Sequence, residues 1–201
     1  MEPSHLPQTS WSQPEEARVT TIAYRRGVLA ADSLACTETQ KSLCQKLYRR
    51  IVTIGGLSQE VIIATAGESS PGLRFLDWYC GERESTPEIF VTGDAEFNVL
   101  VLTRDGLFEY DAWCRGEKII DDVYAIGSGA AAAMGAMRAG ASAKRAVQIA
   151  CTIDPYTGPP VLSMYLKPLR SKPAHKPKEP KADRDKGNDS RKDVGDAGDK
   201  L

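Results

Sequence analysis

Two short turns containing glycine set the tightest limit on what this chain can fold into. Arg25-Arg26-Gly27 lies between the β-forming runs Val19–Tyr24 and Val28–Asp32, and Arg104-Asp105-Gly106 lies between Phe97–Thr103 and Leu107–Asp111. Turns this short connect antiparallel strands, because parallel neighbours need a crossover of a dozen or more residues. Gly27 is expected to take the positive φ that such a turn demands. Leu47–Ile54 and Val61–Ala66 read as a further strand pair around a turn-rich loop over residues 55–60, and Val123–Ile126 and Val161–Lys167 read as single strands. The spacing of Leu73, Leu76 and Cys80 predicts a helix over 71–80. A run of small residues after Gly127-Ser128-Gly129 predicts a second helix that stops at Gly140. Ser142 then caps a third, with Ala143, Ala146, Val147, Ala150 and Cys151 on one face. With hairpins dominant and no βαβ alternation, the expected fold is α+β: two antiparallel sheets face to face with helices outside, a four-layer αββα sandwich.

The ends differ from this centre. Residues 1–19 are polar, carry Pro3, Pro7 and Pro14, and read as a flexible leader or an over-extended start. Residues 169–201 mix both charges with Pro and Gly and read as a disordered tail, leaving 20–168 as the folded domain. With 26 Lys+Arg against 27 Asp+Glu the net charge is −1, so no general attraction to nucleic acid or anionic lipid is expected. No apolar run approaches the roughly 20 residues of a membrane span, and the first residues do not form a secretory signal, so a cytoplasmic protein is expected.

The chemistry is narrowed by what is missing. The five cysteines contain no C-x-x-C pair, which argues against a disulfide framework or thiolate zinc site. The only histidines, His5 and His175, lie in the two terminal segments. Imidazole-based triads and His-ligated metals are therefore excluded from the domain, and no metal or cofactor is expected. A nucleophile in this chain needs a carboxylate, a lysine or a free α-amino group as its base.

Several short motifs then fall in order: Thr20-Thr21-Ile22-Ala23-Tyr24, Leu29-Ala30-Ala31-Asp32-Ser33, Lys46 opening a basic and apolar run, Ala66-Gly67, Gly127-Ser128-Gly129 before a helix, and Asp154-Pro155-Tyr156-Thr157-Gly158. As a set they resemble the β-type subunits of the proteasome and the bacterial HslV peptidase, which are N-terminal-nucleophile hydrolases. The chain looks most like the compact proteasome homologues of bacteria and phages. The resemblance spans Thr20 to about Pro168 and implies the same αββα fold.

It also implies a threonine-type peptidase. Thr20 would be the nucleophile and its own amine the base, an amine that titrates near about 7.7–8.0. Lys46 would depress the amine's pKa, with Asp32 pairing to hold it. Ser128, Asp154 and Thr157 would hydrogen-bond around the threonine amine, and the Gly67 N–H would serve as oxyanion donor. Ala35, Cys44 and Thr65 are candidates for the substrate pocket, small enough to leave it roomy. Alanine at Asp32 or Lys46 is expected to cost hydrolysis more than folding. The resemblance further implies homo-oligomeric rings, polypeptide substrates and an ATP-dependent unfoldase as a possible partner. Val19 stands where the family has an initiator Met or a propeptide Gly, so residues 1–19 must be absent from the active chain. Self-cleavage before Thr20 would achieve that, as would translation starting at codon 19. The alternatives are a catalytically silent ring or scaffold protein and a small-amide hydrolase of the same superfamily.

Overall fold

The computed structural model describes residues 20–36, 39–67, 69–81 and 97–167. The leader, both histidines, the tail and residues 82–96 lie outside the described residues. The chain opens with β1 (Thr21–Arg25) and β2 (Val28–Ala31), followed by a ribbon of β3 (Leu34–Cys36) and β4 (Lys41–Leu43). A long hairpin of β5 (Leu47–Ile54) and β6 (Leu57–Gly67) leads into α1 (Ser69–Tyr79). Strands β7 (Phe97–Thr103), β8 (Gly106–Tyr110), β9 (Gly116–Ile119) and β10 (Val123–Gly127) precede α2 (Ala130–Arg138), α3 (Ala143–Ala150) and β11 (Leu162–Tyr165).

Two main sheets result, ordered β10-β1-β2-β11 and β5-β6-β7-β8-β9, with every pairing antiparallel. Strand alternation divides the core into three slabs. Ile22, Leu29 and Ala31 of the first sheet meet Leu47, Ile62, Ala64 and Leu100 of the second. On its other face the first sheet turns Ala23 and Ala30 to Ala133, Met137, Ala146 and Val147 of α2 and α3. The second sheet turns Val61, Ile63, Val99 and Val101 to Phe75 and Leu76 of α1. The order is thus helix, sheet, sheet, helix, the αββα sandwich expected from the hairpins. Arg49 reaches between the sheets to donate to the Tyr165 carbonyl at 3.0 Å, and Tyr124 donates to Glu109 at 2.5 Å.

Several elements depart from the sequence reading for identifiable reasons. Arg26 joins Gly27 at positive φ (47° and 82°), a two-residue turn whose twist suits the flanking strands. The loop expected over 55–60 is instead a two-residue turn at Gly55-Gly56, because Leu57–Glu60 pair back onto β5. The β3–β4 ribbon and β9 carry no strand signal in the sequence, since three-residue strands and the half-charged Gly-Glu-Lys-Ile edge show almost no apolar alternation. Helices α2 and α3 follow it closely: Gly140 has φ +105°, and Ser142 accepts from the Arg145 N–H at 3.2 Å.

The phase of α1 is different from that expected. Its buried residues are Pro71, Gly72, Phe75 and Leu76, while Leu73 is 46% exposed. The Phe75 ring decides this, packing 5.5 Å from Trp78, 5.6 Å from Tyr79 and 5.1 Å from Tyr110. Phe75→Ala is expected to cost about 3–5 kcal/mol in urea unfolding, and Leu73→Ala less than about 1 kcal/mol. Comparable losses at the two positions would contradict this helix phase.

Candidate active site

Asp32 stands immediately after β2 and is 1% exposed. Its Oδ1 accepts from the Thr21 N–H at 2.9 Å and from Lys46 Nζ at 2.9 Å. Its Oδ2 accepts from the N–H groups of Leu34 at 3.0 Å and Gly158 at 3.1 Å. Both carboxylate oxygens thus have two donors each, which offsets the cost of burying the group. Lys46, also buried, sends a second bond to the Leu34 carbonyl at 2.6 Å. The lysine leads directly into β5, and its carbonyl accepts from the Thr65 N–H at 3.1 Å, which aligns it with β6. Gly67 ends β6 two residues further on, at φ +93°.

A second cluster forms where α2 begins and α3 ends. Ser128 Oγ and Thr157 Oγ1 each donate to Asp154 Oδ2 at 2.5 Å. The Tyr156 N–H donates to Asp154 Oδ1 at 3.2 Å, so the aspartate shapes its own turn. Ser128 Oγ lies 3.4 Å from the Thr20 carbonyl oxygen. Thr157 Oγ1 is 2.6 Å from Thr21 Oγ1, which also accepts from the Gly129 N–H at 3.1 Å.

The glycines of Gly127-Ser128-Gly129 have a steric role. A Cβ on Gly127, which has φ +95°, would stand 1.9 Å from the Thr20 carbonyl oxygen. One on Gly129 would stand 2.2 Å from Thr21 Oγ1. Both positions must be bare for the start of β1 to lie against this turn.

Thr20, Asp32, Lys46, Ser128, Asp154 and Thr157 therefore occur in two clusters, one on each side of the Thr20-Thr21 peptide. The pocket candidates are more dispersed. Cys44 lies beside the Asp32–Lys46 pair, its N–H donating to the Ser33 carbonyl at 2.9 Å. Ala35 is paired with Ser42 in the ribbon. Thr65 packs its side chain against Gly72 of α1, because it alternates with Ala64 and Ala66, which face the other sheet. A separate pocket beside Tyr79 and Tyr110 includes none of these residues.

Two thiols border the clusters. Burial pushes the Cys44 thiol up, Lys46 pulls it partly back and Asp32 pushes it up again. Burial also raises Cys151, with Asp32 as the next cause. Both stand protonated near neutral pH and do not compete as thiolate nucleophiles. Among the described residues no group of three or more His, Cys, Asp or Glu side chains is placed to hold a metal ion, and no helix is long and apolar enough to cross a membrane.

Sequence reasoning names Thr21 and Gly158 only as parts of motifs, without a role, and gives Leu34 none. The last two act through backbone N–H groups, which leave no mark on residue type. Thr21 did leave one: it shares a face of β1 with Ala23, against the helices, where a buried hydroxyl needs partners.

The number of bonds on Asp32 changes one expectation. Asp32→Ala would remove the acceptor of the buried Thr21 and Gly158 N–H groups, of the half-buried Leu34 N–H and of one Lys46 bond, so it strikes folding as well as any chemistry. We expect Asp32→Ala to lose about 3–5 kcal/mol in denaturant unfolding, well beyond Asp154→Ala, whose side chain is only half-buried. Equal losses would show that Asp32 has no special structural weight.

No protein-family model matches the chain, and no curated protein matches it. Similar folds occur among solved structures. BPH from Thiobacillus denitrificans in complex with epoxomicin is 22% identical with a TM-score of 0.54, covering 74% of this chain and 99% of that one. Another structure of T. denitrificans BPH is 21% identical with a TM-score of 0.52, covering 74% and 98%. Eukaryotic HslV from Trypanosoma brucei is 21% identical with a TM-score of 0.55, covering 74% and 99%. At these identities the likeness establishes a shared fold, the αββα sandwich.

Proposed function

We propose that this chain is a threonine-type peptidase whose nucleophile is Thr20 once residues 1–19 are gone. The observation that carries the reading is the buried Asp32–Lys46 pair at 2.9 Å, held by the same carboxylate oxygen that receives the Thr21 N–H. Burying a lysine is unfavourable, and the saturated aspartate that also receives the Thr21 N–H makes it tolerable. The likeness to HslV, and to a BPH structure that contains epoxomicin, supports the same reading.

In the proposed reaction, Thr20 Oγ attacks the carbonyl carbon of a peptide bond while the free Thr20 amine accepts the hydroxyl proton. The Lys46 charge favours the deprotonated oxygen and lowers the amine's proton affinity. The Gly67 N–H donates to the tetrahedral oxyanion. Collapse expels the leaving amine, which takes the proton from the Thr20 ammonium, and leaves an ester on Thr20. Water, deprotonated by the same amine, hydrolyses that ester. Ser128, Asp154 and Thr157 hold the threonine in place from the other side. With the upstream residues attached, Thr20 is 2% exposed and its nitrogen is an amide without basicity. Activity therefore depends on the N-terminus, and a chain that keeps its leader would be the silent scaffold. By the same analogy the substrates are polypeptides, the enzyme assembles into homo-oligomeric rings, and an ATP-dependent unfoldase would deliver folded substrates.

The test is the N-terminal residue of protein purified from its native host, followed by hydrolysis of blocked fluorogenic peptides. The expected chain starts at Thr20, and Thr20→Ala is expected to lose on the order of 10³-fold or more in kcat. A stable start at Met1, or undiminished hydrolysis by Thr20→Ala, would overturn the reading.

A further inference from the structure

Thr21 has no part in the reaction above, yet it is bonded to both clusters. Its amide donates to Asp32, and its hydroxyl meets the Gly129 N–H and Thr157 Oγ1. The direction of the hydroxyl bonds can be assigned. An ionised Asp154 only accepts, so Thr157 spends its one proton on Asp154 Oδ2. Thr157 must then accept from Thr21, and Thr21 in turn accepts from Gly129. The chain runs Gly129 N–H to Thr21 Oγ1, Thr21 O–H to Thr157, and Thr157 O–H to Asp154.

We propose that Thr21 is a positioning residue whose hydroxyl holds Thr20 in register between the Asp32–Lys46 pair and the Ser128–Asp154–Thr157 network. This rests on the peptidase reading and adds a residue to it. Packing does not ask for a hydroxyl at this position. Thr21 is fully buried on a face of β1 that next presents Ala23, and valine has nearly the same shape and suits a strand. The turn, however, is shaped around the oxygen: Gly129 lacks the Cβ that would stand 2.2 Å from Thr21 Oγ1. Without the hydroxyl, the Asp32 bond to the Thr21 N–H and the Ser128 contact with the Thr20 carbonyl remain, but the anchor through Thr21 Oγ1 is lost and Thr20 shifts relative to Lys46 and the substrate carbonyl. Such an error of position acts on the chemical step and leaves peptide contacts alone.

Thr21→Val and Thr21→Ser separate the hydroxyl from the methyl group. In chains verified to begin at Thr20, Thr21→Val is expected to lose about 100-fold in kcat with KM within about 2-fold of wild type. Thr21→Ser is expected to stay within about 5-fold in kcat, and the Gly129 amide should exchange faster only in the valine variant. A packing role reverses the order, making serine the worse substitute. Valine at wild-type kcat, or serine below valine, would overturn the inference while leaving the peptidase reading intact. A chain that folds with Thr or Ser at 21 but with neither Val nor Ala would assign the hydroxyl to folding and also overturn it. A folded wild-type chain starting at Thr20 that cleaves no peptide overturns the peptidase reading, and this inference with it.

Discussion

The structure depends on one buried carboxylate. Asp32 gathers the first residue of β1, the start of the β3–β4 ribbon, the approach to β11 and the lysine that opens β5. These segments come from both sheets and from opposite ends of the domain's sequence. Four donors satisfy both oxygens of this buried carboxylate, and its contact with Lys46 Nζ offsets the cost of burying the lysine. Fold and site therefore share one interaction. This is why a substitution at Asp32 is a poor reporter of chemistry by itself.

Close approach is the second constraint. β1 must lie against the turn before α2 closely enough for the Thr20 carbonyl and the Thr21 hydroxyl to enter it. The absence of a side chain at Gly127 and Gly129 makes the approach possible, and the small residues of α2 let the helix layer follow. The hydroxyls of Ser128 and Thr157 then converge on Asp154 Oδ2. Two polar clusters are thus fixed on the two sides of a single threonine pair, with the sheets' apolar interface below.

Much of this was legible in the sequence because it depends on residue type. Short turns dictated antiparallel pairing, alanine-rich and Ser-capped segments dictated α2 and α3, and the lack of histidine within 20–168 pointed to an unusual base. What escaped depends on partners distant in sequence. The phase of α1 follows from Tyr110 meeting Phe75, which no local periodicity reveals. The ribbon and β9 are strands because a neighbour pairs with them, not because of their own composition. The Asp32–Lys46 pair was suggested by family resemblance, but the backbone donors from Leu34 and Gly158 were invisible at the level of side chains. Thr21 was overlooked because a threonine in a strand is ordinarily just a β-former.

The proposed nucleophile of this fold is Thr20 bearing a free amine. The most direct test is to react the processed protein with an electrophilic peptide inhibitor and locate the covalent adduct by mass spectrometry of proteolytic fragments. A single adduct on Thr20, lost in Thr20→Ala, is expected. An adduct on Cys44 or Cys151, or loss of hydrolysis on inhibitor treatment with Thr20 left unmodified, would contradict this.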